Sequence, residues 1–239
     1  MEMISYFPNF FFPSACCICN RHGNYICHNC KKLLKRNLPE CYICRRVSSL
    51  YKTHSRCKNS ISLDSVFVAW EYNNISSNIL KPYKYKKVRD LSYTISELFI
   101  DSIEKSIFKI NLENTLLVPV PISKLRLMER GFNQMDYIAA YIAKSFNQNI
   151  CKNFIYCRNS REHQASKNKE ERYNSKFNPF YIKNLQDISR YGSITIVDDV
   201  ITTGNTLEKI SKIIKAAYGP DIKINALCLF RGKPYFTSE

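Results

Sequence analysis

The most informative part of the chain is Ile194-Thr195-Ile196-Val197-Asp198-Asp199-Val200-Ile201-Thr202-Thr203-Gly204-Asn205-Thr206. It begins with an apolar run at 193–197 that predicts a buried strand, passes two carboxylates and ends in a hydroxyl-rich turn. A segment with apolar residues at helical spacing, 205–218, follows directly. The stretch therefore predicts a strand, a turn and a helix in succession.

Strands and helices alternate on either side of that stretch. Apolar runs at 66–70, 115–118 and 222–230 predict strands, and apolar residues at helical spacing predict helices within 91–108 and 135–146. Residues 151–180 are polar and without a sustained period, which is typical of a long functional loop or hairpin. This order predicts an α/β domain, over 61–239, with a mainly parallel sheet and helices on both faces.

The end of the strand at 193–197 carries groups that suit a phosphorylated sugar. Ligands of such sheets bind beyond the carboxyl ends of the strands, where Asp198 and Asp199 stand. The threonine turn, defined as residues 202–206, offers backbone amides, three hydroxyl groups and the positive end of a helix dipole to a phosphate dianion. The acids can accept hydrogen bonds from a ribose diol or hold Mg²⁺ through water. The alternative is that they only cap the helix.

The six glycines exclude two common phosphate motifs. They stand at 23, 131, 192, 204, 219 and 232, too scattered for a G-x-G-x-x-G or a G-x-x-x-x-G-K-[ST] loop. One ligand uses all the groups above. It is a ribose with a 5-phosphate at one end and a metal-chelated diphosphate at the other.

Basic charge is concentrated at the front of the chain. The formal net charge over 239 residues is +16, which favours an anionic partner such as nucleic acid or a phosphorylated metabolite. Residues 1–60 hold ten Lys or Arg against two acids, a net of +8 and half the surplus. The alternative is that part of the lysine excess reflects an A+T-rich genome, since Asn, Ile, Tyr and Phe are abundant too.

The same front segment has cysteines at metal-ligand spacing. Eight of the 11 cysteines precede residue 58. Pairs of the form C-x-x-C or H-x-x-C predict one or two structural zinc ions in a module over 1–60. Pairing in sequence order gives two four-ligand sites, and a crossed arrangement is the alternative. His54 stands where a cysteine is more usual, so a single zinc site is the other alternative. The eight candidate ligands are Cys16, Cys19, Cys27, Cys30, Cys41, Cys44, His54 and Cys57.

Basic and aromatic residues alternate among these pairs. Such a surface suits single-stranded DNA, through phosphate neutralisation and base stacking on tyrosine. The alternative is a solvated basic surface with the tyrosines in a small core. The residues concerned are Arg21, Lys31, Lys32, Lys35, Arg36, Arg45, Arg46, Lys52, Arg56 and Lys58, with Tyr25, Tyr42 and Tyr51.

No segment has the pattern of a signal peptide or a membrane span. Residues 1–13 include a Phe-rich patch but no basic leader, and no run approaches the ~20 apolar residues that a bilayer requires. We therefore expect a cytoplasmic protein that does not insert into membranes.

Beyond these patterns, the chain resembles the ComF family of competence-associated proteins. The stretch quoted first is similar to the phosphoribosyl-diphosphate signature of type I phosphoribosyltransferases. The cysteine-rich front resembles a double zinc ribbon, so the resemblance covers nearly the whole chain. Further matching residues are Val118-Pro119-Val120-Pro121, Arg126, Glu129-Arg130-Gly131-Phe132-Asn133-Gln134, Arg158, Gln164, Arg172, Asn174 and Phe177.

The resemblance implies a role for each part of the site. Asp198 and Asp199 would be the catalytic, ribose-binding acids, Thr202, Thr203, Gly204, Asn205 and Thr206 the cradle for the 5-phosphate, and Pro119, Val120 and Pro121 part of the diphosphate loop. Segment 158–177, with Arg158, Gln164 and Arg172, resembles a mobile hood, where His163 could contact the nucleophile.

Arg126 and Arg130 are candidates for the diphosphate on chemical grounds. Their guanidinium groups match the geometry of phosphate oxygens. The alternative is that both lie on a solvated helix face.

Three functions follow from these patterns and from the resemblance, which alone implies the role in DNA uptake. The first is an enzyme that transfers a phosphoribosyl group from phosphoribosyl diphosphate, with Mg²⁺, to an unidentified acceptor. The second is a DNA-uptake factor of natural transformation that keeps the fold but binds single-stranded DNA, near the competence DNA helicase, without catalysis. The third, a nucleobase salvage enzyme, is weaker because such an enzyme does not need a zinc module.

Overall fold

The computed structural model describes residues 15–85, 90–158 and 178–233. Short 3₁₀ helices cover Ser49–Tyr51, Ser55–Cys57 and Ile107–Leu112. The remaining elements, in chain order, are α1 (His28–Lys31), β1 (Ser65–Glu71), α2 (Asn74–Tyr85), α3 (Asp90–Glu104), β2 (Thr115–Pro119), α4 (Lys124–Arg130), α5 (Gln134–Ser145), β3 (Asn149–Ile150), β4 (Tyr156–Cys157), β5 (Phe180–Tyr181), β6 (Ser193–Ile201), α6 (Asn205–Tyr218) and β7 (Ile224–Arg231).

Five strands form one parallel sheet in the order β1-β7-β6-β2-β3. Every neighbouring pair in it runs parallel, and β4 pairs with β5 in a separate antiparallel ribbon. The predicted fold class, a parallel sheet flanked by helices after a cysteine-rich module, is confirmed. The boundary between residues 60 and 61 stays a prediction.

Side chains of the sheet alternate between two cores, as the period of two residues in a strand requires. Phe67, Leu117 and Val197 face the side covered by α3 and α5. Val68, Val118 and Ile196 face the side covered by α6. Burial on both faces explains why these strands appear in the sequence as continuous apolar runs.

The chain order of the strands creates a crevice between β2 and β6. From β2 the chain continues through α4 and α5 to β3 on one side, whereas from β6 it continues through α6 to β7 on the other. The two connections therefore leave neighbouring strands in opposite directions. This opens a gap at the carboxyl ends of β2 and β6, and ligands of such sheets bind in gaps of this kind.

Strand β6 is longer than its apolar run predicts. It continues through both acids to Ile201 because β7 still pairs with it there, with Asp198 opposite Cys228 and Val200 opposite Phe230. On its other edge the pairing stops where Pro119 of β2 meets Val197. The acids thus lie inside β6 but beyond the end of β2.

No helix within the described ranges combines the length and the apolar character needed to cross a bilayer.

Candidate active site

A cavity of about 430 Å³ lies at the crevice between β2 and β6. Its volume falls within the range of small-molecule sites. Six parts of the chain contribute to its wall: the loop after β2, helix α4, the start of α5, the end of β6, the start of α6 and the ribbon β4–β5. The predicted site residues that line it are Val120, Pro121, Arg126, Arg130, Arg158, Asp198, Asp199 and Thr206.

Two carboxylates form the acidic wall of this cavity. Asp198 is 9% exposed and Asp199 is half-buried. The amide of Asp199 donates to Oδ1 of Asp198 over 2.9 Å, which fixes the orientation of the first carboxylate. Consecutive residues of a strand normally point to opposite faces of the sheet. Here the pairing with β2 has already ended at Val197, so both acids can line the crevice.

Two arginines form the basic wall, and the geometry of α4 places them together. Arg126 and Arg130 are four residues apart, so they lie on the same face of the helix. Ser123 caps that helix by accepting from the amide of Arg126 over 3.4 Å, and Gly131 ends it with a φ of 78°. Nη1 of Arg130 donates to Oε1 of Gln134 over 3.2 Å, which orients this guanidinium.

Asn133 links the loop after β2 to the start of α5. Its amide nitrogen donates to the carbonyl of Val120 over 3.1 Å and to Oδ1 of Asp136 over 2.8 Å, and its Oδ1 caps the helix at Met135. Our prediction of site residues omitted Asn133 and Gln134, which also line the cavity. Asn133 stands three residues before Asp136, a pattern typical of a helix N-cap, and this pattern could have identified Asn133.

Thr206 is the member of the threonine turn that lines the cavity. The hydroxyl of Thr203 accepts from the amide of Asn205 over 3.5 Å. Gly204 is the N-cap of α6 with a φ of 90°, and glycine has no side chain that could cap the first-turn amides. A phosphate contact for Thr202, Thr203, Gly204 or Asn205 stays a prediction.

The cysteine-rich module packs directly against this turn, which the sequence did not predict. Nη2 of Arg45 donates to the carbonyl of Thr202 over 3.1 Å and to that of Gly232 over 2.8 Å. The hydroxyl of Tyr42 donates to Oε1 of Glu208 over 2.8 Å. Contacts between residues more than 150 positions apart leave no local signal in a sequence.

Of the predicted hood, segment 158–177, the structure describes Arg158, which follows β4 of the ribbon β4–β5. Tyr156 and Cys157 pair with Tyr181 and Phe180, and the guanidinium carbon of Arg158 lies 5.1 Å from the centre of the Tyr181 ring. Residues Gln164 and Arg172, with His163, lie outside the described ranges.

A second cavity, of about 390 Å³, adjoins the first. The two share Pro121, Ile122, Asn133, Cys157 and Arg158 in their walls. The second cavity is otherwise lined by the stacked rings of Tyr156 and Tyr181, 5.6 Å apart, and by Asp136 among others. Burial raises the pKa of Asp136, although nearby Lys152 opposes the shift.

The eight predicted metal ligands form two clusters, paired in sequence order. The first cluster contains Cys16, Cys19, Cys27 and Cys30, and the second contains Cys41, Cys44, His54 and Cys57. Ligand atoms within each cluster all lie within 4.8 Å of one another. Zinc bound tetrahedrally to sulfur at ~2.3 Å separates neighbouring ligands by about 3.8 Å.

Individual distances and the chemistry of the thiols agree with this geometry. Sγ of Cys19 lies 3.7 Å from Sγ of Cys27, and Sγ of Cys44 lies 3.3 Å from Nδ1 of His54. Burial opposes ionisation of Cys16, but amide hydrogen bonds, the largest from Cys27, lower its pKa to about 6. Each cluster brings four sulfur or imidazole donors within 4.8 Å of one another, so both donor sets fit structural zinc with no open position.

The tyrosines and the basic residues of the module have different exposures. Tyr42 and Tyr51 are 2% and 6% exposed, so they belong to the core and cannot stack on bases. Nine of the ten basic residues are exposed, and Arg45 is half-buried at the threonine turn. Tyr25 is half-buried. The basic surface therefore remains available to a polyanion chiefly through charge.

No protein-family model matches the sequence. Curated relatives do match. Competence protein F of Haemophilus influenzae is 27% identical over 226 residues, which are 90% of this chain and 96% of the relative. The chain is a homologue of the ComF proteins. The predicted resemblance is thus confirmed.

Two further ComF relatives align with the chain. Competence protein ComFC of Streptococcus pneumoniae is 24% identical over 208 residues, 84% of this chain and 86% of the relative. Competence protein ComFC of Bacillus subtilis is 27% identical over 199 residues, 76% of this chain and 74% of the relative. Similarity to ComF proteins therefore extends over both the module and the sheet domain.

Proposed function

We propose that this protein binds phosphoribosyl diphosphate with Mg²⁺ in the crevice between β2 and β6, and that it transfers the phosphoribosyl group to an acceptor during DNA uptake. The observation that carries the proposal is the composition of one cavity. Asp198 and Asp199 form one wall, Arg126 and Arg130 another, and Thr206 stands at the start of α6. The role in DNA uptake rests on the competence-protein names of the relatives.

Each wall matches a different part of the ligand. The two carboxylates are hydrogen-bond acceptors for the ribose diol, and their oxygens are the hard donors that Mg²⁺ prefers. The two guanidinium groups suit the diphosphate. The turn before α6 suits the 5-phosphate, because a helix N-terminus presents amides and a positive dipole end.

The transfer would break the bond between C1 of the ribose and the diphosphate, and would form a bond from C1 to the acceptor. Positive charge on the ring in the transition state is stabilised by the carboxylates of Asp198 and Asp199. Arg126 and Arg130 stabilise the diphosphate as it leaves. Mg²⁺, when bound, supplies further positive charge to the leaving group.

The adjoining cavity of about 390 Å³ supports the proposal, because it lies beside the sugar site and is large enough for a small acceptor. Its wall combines stacked tyrosine rings with the carboxylate of Asp136. Such a wall favours a planar acceptor with a hydrogen-bond donor.

Titration calorimetry with phosphoribosyl diphosphate and Mg²⁺ tests the binding step. The double substitution Asp198→Asn with Asp199→Asn removes two charged acceptors, which should weaken affinity by roughly 100-fold or more at ~1.5–3 kcal/mol each. Asp221→Asn, at an exposed aspartate, is the matched control. Equal affinity in the double variant and the control would refute the assignment.

A second candidate function, binding of single-stranded DNA without catalysis, is favoured by the exposed basic surface of the module. With Tyr42 and Tyr51 buried, the attraction is mainly electrostatic and must weaken with salt. Lys31→Glu with Lys32→Glu should reduce the slope of log affinity against log salt by about 1.4, at ~0.7 for each phosphate that is no longer neutralised. Lys183→Glu with Lys223→Glu changes the net charge equally at exposed sites outside the module. Salt-independent binding would contradict this function.

A nucleobase salvage activity is distinguished by the acceptor. Release of diphosphate with a free nucleobase would favour it, whereas release with single-stranded DNA alone would favour the role in DNA uptake.

A further inference from the structure

The second metal cluster lies next to the threonine turn, and two side chains span the gap between them. Tyr42 follows the ligand Cys41, and Arg45 follows the ligand Cys44. The amide of Arg45 donates to the carbonyl of Cys41 over 2.8 Å, which closes a tight loop around the metal position. The direction of both side chains therefore depends on how this loop is held.

Arg45 holds the start of the turn. Its guanidinium donates to the carbonyl of Thr202 over 3.1 Å and to that of Gly232 over 2.8 Å. Arg231, which is 6% exposed, donates to the same Thr202 carbonyl over 3.3 Å and to the carbonyl of Tyr42 over 2.7 Å. Two guanidinium groups thus share one carbonyl of the turn, and both are tied to the metal loop.

Tyr42 supports the middle of the turn and the first turn of α6. Its ring lies so close to Gly204 that a Cβ on that glycine would be 2.8 Å from Cε2. Its hydroxyl donates to Glu208 and accepts from the amide of Leu63 over 3.3 Å. The ring packs in the core on the α6 side of the sheet.

The first metal cluster occupies a different environment. Cys16, Cys27 and Cys30 pack in the core on the α3 and α5 side. This cluster therefore offers an internal control, since its loss should loosen the module on the other face of the sheet.

We propose that Tyr42 and Arg45 are positioning residues through which the second metal cluster orders the threonine turn for phosphate. The segment around this cluster is too polar to keep its shape without metal. Metal at the cluster therefore favours the phosphate-ready turn, and by reciprocity phosphate at the turn must slow the loss of metal. The phosphate part of this inference rests on the proposed function.

Hydrogen exchange of the amides of residues 202–206, measured without any ligand, tests the positioning itself. Arg45→Ala should exchange at least 10-fold faster than the unaltered protein while keeping its full zinc content. Arg45→Lys should partly restore protection, because lysine keeps one charged donor. Arg46→Ala, at the exposed neighbouring residue, is the matched control. Unchanged exchange in Arg45→Ala would overturn the inference.

The coupling to phosphate is measured with ribose 5-phosphate, which reaches the turn but lacks the diphosphate. Arg45→Ala and Cys44→Ser should each weaken its binding by about 5- to 150-fold, the usual range of coupling between sites. Cys19→Ser, in the first cluster, should weaken it much less. Ribose 5-phosphate should also slow the release of one zinc per chain to a coloured chelator.

Failure of the two proposals can be distinguished. If ribose 5-phosphate does not bind the unaltered protein, the proposed function fails, while hydrogen exchange still decides the positioning. If it binds and Arg45→Ala binds it equally well, the coupling fails and the proposed function stands.

Discussion

Gly204→Ala perturbs the point where the module meets the turn, and its cost can be worked out from two contributions. The backbone contribution arises because Gly204 has a φ of 90°, and an L-residue in a left-handed conformation costs ~1–2 kcal/mol. The steric contribution arises because the new Cβ would lie 2.8 and 2.9 Å from two carbons of the Tyr42 ring. Overpacking of this kind costs ~1–3 kcal/mol. We expect a total loss of about 2–5 kcal/mol in the free energy of unfolding.

Urea unfolding of the zinc-loaded protein, followed by circular dichroism, measures this loss. Gly131→Ala is the matched control, because Gly131 has a φ of 78° but a Cβ there would meet nothing within 4 Å. It should lose only the backbone contribution of ~1–2 kcal/mol. The difference between the two variants isolates the contact with Tyr42.

A double-mutant cycle gives the decisive comparison. In a Tyr42→Ala background the ring is gone, so Gly204→Ala should cost no more than Gly131→Ala does. If Gly204→Ala is already as mild as Gly131→Ala in the unaltered protein, the ring does not support the turn and the reasoning is refuted.

Three further predictions concern the site and the metals. Arg126→Ala and Arg130→Ala should each weaken the binding of inorganic pyrophosphate in calorimetry by about 10- to 100-fold, at ~1.5–3 kcal/mol per charged hydrogen bond. Arg190→Ala is the control and should bind pyrophosphate normally, because the guanidinium of Arg190 stacks on Tyr191. Normal binding by Arg126→Ala and by Arg130→Ala would show that α4 does not contribute to the site. Asn133→Ala should lower the free energy of unfolding by about 1–2 kcal/mol, because it removes the cap of α5 and the bond to the loop after β2; an unchanged unfolding midpoint would contradict this. Mass spectrometry of the native protein should find two zinc ions per chain, one for each cluster, and a single ion would contradict the second site.

Local chemistry made much of the sheet predictable. Helix α6 has the bounds that its apolar period predicts, since its buried face is continuous from Leu207 to Ile214. The length of β6 was not predictable from its own residues, because pairing with β7 carries it through two polar aspartates. Helix α2 was missed for a related reason: it contains Pro82 and many polar residues, and its helical state depends on packing.

The residues of the candidate site also fall into two groups, those predictable from the local sequence and those placed by contacts with distant parts of the chain. The acids, arginines and metal ligands could be identified because they occur in short motifs of neighbouring residues. The structure brings these acids and arginines to one cavity. For Tyr42 and Arg45 the sequence left two interpretations open, a DNA surface or a solvated basic surface with the tyrosines in a small core, and the burial of Tyr42 agrees with the second. Only the fold reveals that Arg45 reaches Thr202, 157 positions later in the chain.

Arg231, at the end of β7, has a consequence for the order in which the molecule assembles. It joins the carbonyls of Tyr42 and Thr202 and forms an ion pair with Glu40, with Nε 2.7 Å from Oε1. A nascent chain emerges from its amino end, so the cysteine-rich part can acquire metal long before β7 exists. The contacts of the clamp that involve Arg231 and Gly232 therefore form only after β7 has been synthesised and inserted between β1 and β6.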